Sequence, residues 1–186
     1  MRKSFGAKPF MYPMPVLIIA TYDENGVPNA MNAAWGCAAD MNKIGIYVSA
    51  SHKTMKNILH HKAFTVSMAN AANAVQADFV GVVSGNDSPD KFAKTGWHAV
   101  ESEHVHAPLI EELPMALECR LYSYDEESEL LIGEIVNVCA DESVLDENGK
   151  IDPKKLNPIT YDPVHHAYLT LGEKVGQAFH DGKQLK

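Results

Sequence analysis

A hairpin signature near the start of the chain constrains the fold more than any other feature. Residues 16–22 read as a strand, Asp23-Glu24-Asn25-Gly26 as a turn, and residues 27–35 as the returning strand, with Gly26 supplying the positive φ that the turn requires. Residues 43–50 alternate as a half-buried strand should, with Ile44, Ile46 and Val48 on one face and Gly45, Tyr47 and Ser49 on the other. Residues 63–68 carry another strand. Residues 115–124 and 130–140, separated by Asp125-Glu126-Glu127-Ser128, read as a long antiparallel hairpin. Helical spacing is rarer. Met55, Ile58 and Leu59 share one helical face behind an N-cap at Ser51, and Asn73 caps a second helix whose stripe is Val75, Phe79, Val82 and Val83, ending near Gly85. A short helical turn is expected at 90–95, irregular chain at 141–163, and a segment at 168–179 that returns to pack on the body. Strands outnumber helices and join through short turns, so the expected fold is mainly β: an antiparallel barrel with covering helices rather than a doubly wound parallel sheet. A length of 186 residues suits one domain over 1–186 with a real core.

Sixteen basic against twenty-four acidic residues give a net charge of −8, which repels phosphodiester backbones and anionic lipid headgroups. Nucleic acid is therefore not an expected partner. The longest apolar run, residues 16–20, falls far short of the roughly 20 residues that cross a bilayer. Neither membrane insertion nor secretion is expected, because Thr21-Tyr22-Asp23-Glu24 stands where a small-residue cleavage site belongs. Cys37, Cys119 and Cys139 are odd in number and widely spaced, which fits a reducing, cytoplasmic setting.

Three stretches concentrate polar or close-approach chemistry. Around Ser49-Ala50-Ser51-His52-Lys53-Thr54, hydroxyls and a lysine meet the start of a helix, where free N–H groups favour an anion; an ordinary N-cap with solvated lysines fits the same residues. In Asn29-Ala30-Met31-Asn32-Ala33-Ala34-Trp35, small side chains let a backbone approach a flat ligand. They fit a crowded barrel interior equally well. Ser84-Gly85 and Lys91 form the third stretch, an anion contact or simply a helix end and loop. Phosphate loops of the Gly-x-Gly-x-x-Gly and Walker types are absent. His60-His61, His104-x-His106 and His165-His166 lack zincin-like spacing, so no metal site is expected. Cys37 reads as a redox thiol or, more commonly for a free cysteine, a small buried hydrophobe, and Trp97-His98 as either a substrate entrance or a plug of the barrel mouth.

Taken together in order, residues 15–35, Ser51-His52-Lys53-Thr54 with Ile58, and Gly81 through Ser84-Gly85 to Asp90-Lys91-Phe92 resemble the flavin reductase-like family, most closely its flavoredoxin branch. The similarity spans about residues 10–122, and more weakly Tyr168-Leu169-Thr170-Leu171-Gly172. The resemblance implies a split β-barrel that binds FMN, forms a homodimer and takes electrons from NADH or NADPH for a flavin, an iron centre or a protein acceptor. It also implies that Asn29, Ala30, Met31, Asn32, Ala33, Ala34 and Trp35 wall the flavin ring and ribityl chain. Ser49, Ala50, Ser51, His52 and Thr54 would then bind ribityl and phosphate, with Ser84, Gly85 and Lys91 assisting and Tyr168 on the far side. No side chain is expected to act as an acid or base. A flavin carrier without nicotinamide activity, or a haem-binding module, uses the same scaffold.

Overall fold

The computed structural model describes residues 1–185. Twelve strands and four helices follow one another as β1 (Met14–Pro15), β2 (Leu17–Tyr22), β3 (Pro28–Ala33), β4 (Gly36–Asp40), β5 (Lys43–Tyr47), α1 (Lys53–His61), β6 (Ala63–Met68), α2 (Ala74–Val82), α3 (Lys91–Lys94), β7 (Ala99–Glu101), β8 (Pro108–Ile110), β9 (Met115–Asp125), β10 (Leu130–Ala140), α4 (Pro153–Leu156), β11 (Ile159–Asp162) and β12 (Ala167–Thr170). Seven strands form one antiparallel sheet in the order β3-β2-β6-β9-β10-β5-β4. The sheet curls into a half-barrel, because Leu17, Ile19, Ala33, Ile44, Ile46, Phe64, Val66 and Leu131 from across its width share one buried cluster, with Met55 and Ile58 of α1 plugging it. Gly133 is required there. A Cβ at that position would stand 2.4 Å from Cζ of Phe64. The expected split-barrel class is thus the observed one.

Strand β2 is buried on both faces, so its run Leu-Ile-Ile-Ala is apolar throughout. Leu17 and Ile19 enter the barrel, while Ile18 and Ala20 meet a second cluster built from Ala77 and Val80 of α2, Phe92 of α3 and Trp97. Trp97 neither opens an entrance nor plugs the barrel mouth: it is buried in this outer cluster, packs on Phe92 and donates its Nε1–H to Asn73 Oδ1 at 2.9 Å. A third layer is the β7–β8 hairpin with its connecting loop, laid over β6 and β9. Beneath it Glu118 is buried in full. Its carboxylate accepts from Ser102 Oγ and Asn137 Nδ2, with His104 Nδ1 3.5 Å away.

Several expectations require correction. Helix α2 packs on the core through Ala77 and Val80, with Phe79 of the expected stripe partly buried beside them, and leaves Val75 and Val82 on the solvent side. Helix α1 is capped at His52, not Ser51, and no side chain closes its end; the Ser51 hydroxyl instead lies 3.1 Å from that of Ser49. Strand β4 occupies residues to which the sequence pattern assigned no element, and the supposedly irregular 141–163 stretch contains α4 and β11. Strand β12 does pair with β11, but the chain beyond it does not pack on the body: Val175 and Phe179 are wholly exposed. Cys37 is exposed on β4 rather than buried.

Candidate functional site

A crevice of about 320 Å³ opens along the outer edge of β3, lined by Met31, Asn32, Ala33, Ala34, Trp35, Tyr47, His52, Asp78, Gly81, Tyr161 and Tyr168 among others. It runs into a second cavity of about 150 Å³, with which it shares Met31, His52, Gly81 and Val82; this one is walled by Lys53, Thr54, Ser84, Gly85 and Lys91. The pair forms one elongated cleft of a size that suits a cofactor-like ligand.

Its geometry follows from the first hairpin. Asp23 N–H donates to Val27 O at 2.9 Å, which makes Thr21–Asn29, Ile19–Met31 and Leu17–Ala33 the hydrogen-bonded pairs of the ladder. The N–H and C=O groups of Ala30 and Asn32 therefore point outward, away from β2, on the edge strand that borders the crevice. Pro28 sits in the same outward phase, where its missing N–H costs nothing. Helix α2 closes against this edge at Gly81, where a Cβ would lie 3.1 Å from that of Asn32. The Asn32 amide donates to Ala77 O at 3.1 Å and reaches Tyr168 Oη at 3.5 Å. Tyr168 in turn donates to Asp78 at 2.8 Å, and burial together with that carboxylate pushes its phenol up to about 12. The hydroxyl stays protonated at any ordinary pH.

The smaller cavity gathers hydrogen-bond donors from two elements. Lys91 is only 3% exposed, and its ammonium donates to Val80 O at 3.0 Å and Val83 O at 2.8 Å, the terminal carbonyls of α2. Two of its three hydrogens are thereby used, and the third is left for the cavity. Burial lowers its pKa to about 8. Across the cavity, α1 begins with no acidic residue in its first turn and no side-chain cap, so the N–H groups of Lys53 and Thr54 lack intrahelical partners. Thr54 is held by Asn29, whose Nδ2 donates to its Oγ1 at 2.8 Å. Gly85 brings the backbone against them: a Cβ there would stand 2.5 Å from Asn29 Oδ1. Asn86 ties the loop down, donating to Ser51 O at 3.1 Å while accepting from Lys56 Nζ at 3.1 Å.

The residues singled out in the sequence thus distribute over one cleft, with exceptions. Asn32, Ala33, Ala34, Trp35 and Tyr168 line the larger part, Thr54, Ser84, Gly85 and Lys91 the smaller, and Met31 and His52 both. Asn29 bonds Thr54 and does not line the larger part. The Ala30 side chain is buried in the core and offers only its backbone edge. Ser49, Ala50 and Ser51 form the turn leading into α1, beside the cavity lining.

The chain matches the flavin reductase like domain over residues 10–165. It belongs to that family. Flavoredoxin of Desulfovibrio vulgaris (Miyazaki F) is similar in structure with a TM-score of 0.93 and 38% identity, covering 98% of this chain and 100% of that one. Flavoredoxin from Methanosarcina acetivorans gives 0.90 and 28%, with 100% of both chains covered. Among curated proteins, the uncharacterized protein YddH of Escherichia coli (strain K12) is 33% identical over 173 residues, 87% of this chain and 88% of that protein. Among the described residues of this flavin reductase-like chain, no helix is long and apolar enough to cross a membrane, and no group of three or more histidine, cysteine or acidic side chains converges on a metal-sized point. Tyr47, Asp78, Tyr161 and Asn86 went unnoticed in the sequence. Tyr47 and Asp78 each sit singly on a strand or helix face, with no local pattern to mark them, and Tyr161 comes from the stretch read as irregular.

Proposed function

We propose that this chain binds FMN in the β3–α2 cleft and acts as an oxidoreductase, taking hydride from NADH or NADPH and passing electrons to free flavin, an iron centre or a protein acceptor. The observation that carries the reading is Lys91, a buried ammonium with one unassigned hydrogen facing a cavity opposite an uncapped helix start. A dianionic phosphate satisfies both, through charge-assisted hydrogen bonds about twice as strong as neutral ones. Thr54, His52, Ser84 and the Gly85 backbone complete that grip, with Asn29 orienting Thr54. Ser49, Ala50 and Ser51 supply the turn beside the ribityl chain. Met31 to Trp35 then wall the ring, Tyr168 stands on the far side, and the outward amides of Ala30 and Asn32 donate toward an acceptor-rich ring edge.

When bound, FMN supplies a ring that accepts hydride and releases electrons one or two at a time. The protein's part is positioning: hydride donor and ring must stack at roughly 3–3.5 Å, and no side chain is assigned a proton-transfer role. The fit of the family and of its flavoredoxin neighbours supports the same assignment. The apolar sheet face around Trp35 and Tyr47, which borders the crevice, supports a homodimer. The single domain over 1–186 and a reducing cytoplasmic setting, suited to three free cysteines, complete the reading.

Titration of the flavin-free protein with FMN and riboflavin, followed by rapid mixing with NADH or NADPH, tests it. FMN is expected to bind at least tenfold tighter than riboflavin and its yellow absorbance to bleach on mixing. A protein that stays colourless in excess FMN overturns the reading. Bound FMN that neither nucleotide bleaches reassigns the chain as an electron carrier.

A further inference from the structure

Two features of the molecule each lack a strand partner. The first is β4, the terminal strand of the seven-stranded sheet: only its β5 side is paired, and Cys37, Ala38 and Ala39 are exposed. Beside it lies an apolar groove of about 400 Å³ whose lining, including Met11, Met14, Trp35, Cys37, Tyr47 and Ile132, contains no charged side chain. An open, apolar sheet edge is a template for another strand. The second is the segment after β12. Residues 171–177 have no secondary structure, Leu171 is half exposed, and Val175 and Phe179 are fully exposed. One exposed ion pair, Lys154 to Glu173 at 2.8 Å, ties the segment to α4, a contact worth little. In an extended chain Leu171, Val175 and Phe179 fall on one face.

We propose that this segment is an exchanged arm: residues 171–179 of one copy add to the free edge of β4 in a second copy, and Val175 and Phe179 fill that copy's groove. Main-chain hydrogen bonds satisfy the edge while alternate side chains enter the pocket, the usual logic of strand addition. Charge favours this location. Two copies at −8 each repel, and the groove is a surface where contact brings no further like charges together. Because the groove shares Ala34, Trp35 and Tyr47 with the crevice, the arm would also wall the ring end of the partner's cleft.

The inference rests on the homodimer of the proposed function, and the test separates the two. The exposed Cys37 serves as the probe, since Cys119 is buried with its thiol pushed up to about 12. Val175→Cys and Phe179→Cys are oxidised mildly and run on a non-reducing gel. At least one is expected to give a covalent dimer that disappears when Cys37→Ala is added. A chain ending at Thr170, which removes the arm and the residues after it, is expected to raise the dimer dissociation constant at least tenfold in sedimentation. A full chain that sediments as a monomer overturns the homodimer and the arm together. A dimer unaffected by truncation, or cross-links that form within one chain or survive Cys37→Ala, overturns the arm alone.

Discussion

The two ends of the cleft are built differently. At the Lys91 end, the cation is buried, Thr54 is buried and held by Asn29, and the loop is clipped to α1 by Asn86. At the Trp35 end the wall is aromatic and open, with Trp35 50% and Tyr47 55% exposed. On the proposed reading, a single chain preorganises the end that grips the phosphate and leaves the end that faces the ring open to a hydride donor, an acceptor or a second copy.

The comparison breaks first at Lys91. Lys91→Ala is expected to weaken FMN roughly 10- to 100-fold, about the 1.5–3 kcal/mol of a charged hydrogen bond, while riboflavin changes by no more than a few fold. Equal losses for both ligands in a fluorescence titration would show that the buried cation grips no phosphate. Titrating the same charge is the next step. The folded pKa of Lys91, about 8, lies below its ordinary value of 10.5, so between these the unfolded chain holds a proton that the flavin-free folded protein has lost. Stability of the flavin-free protein therefore gains a rising contribution from this group as pH climbs from about 8 to 10.5. FMN affinity is expected to fall over the same range, by at most tenfold per pH unit, and riboflavin affinity to stay flat. Melting curves and titrations at pH 7.5 and 9.5 check the opposite signs.

Gly85→Ala puts a Cβ 2.5 Å from Asn29 Oδ1 and is expected to displace the Asn29–Thr54 pair. Overpacking of this kind costs on the order of 1–3 kcal/mol, read as a lower melting temperature and an FMN loss near tenfold. The smallest effect is expected at the open end. Trp35→Ala should weaken FMN and riboflavin alike by only a few fold, since a half-exposed wall contributes little and none of it touches the phosphate.

Much of this was legible along the chain because its signals are local. The β2–β3 hairpin is written in Gly26, with φ of 77°, and in the alternation around it, and the β9–β10 hairpin in two long runs with a polar turn between them. The α1 end of the cleft was legible for the same reason: hydroxyls, a lysine and a helix start lie within six residues. What escaped depends on tertiary neighbours. Helix α2 is apolar nearly all round, so its stripe gave no sign that Ala77 and Val80, rather than Val75 and Val82, face the sheet. Asn29 changed role because strand phase turns it toward α1 while Asn32 faces α2. Strand β4 is Gly-Cys-Ala-Ala-Asp, weak in β propensity, and owes its existence to pairing with β5.

Glu118, far from the cleft, imposes its own constraint on how this sequence can drift. Ser102, Asn137 and His104 come from the loop between β7 and β8 and from β10, and all turn toward its one carboxylate beneath that loop. Exchanging the acid alone for an apolar residue leaves the buried Ser102 hydroxyl and the part-buried Asn137 amide without their acceptor, whereas exchanging the whole set together leaves nothing unmatched. Mutational paths through this corner are therefore narrow: a surface loop and two strands must change their residues in concert or keep the ones they have.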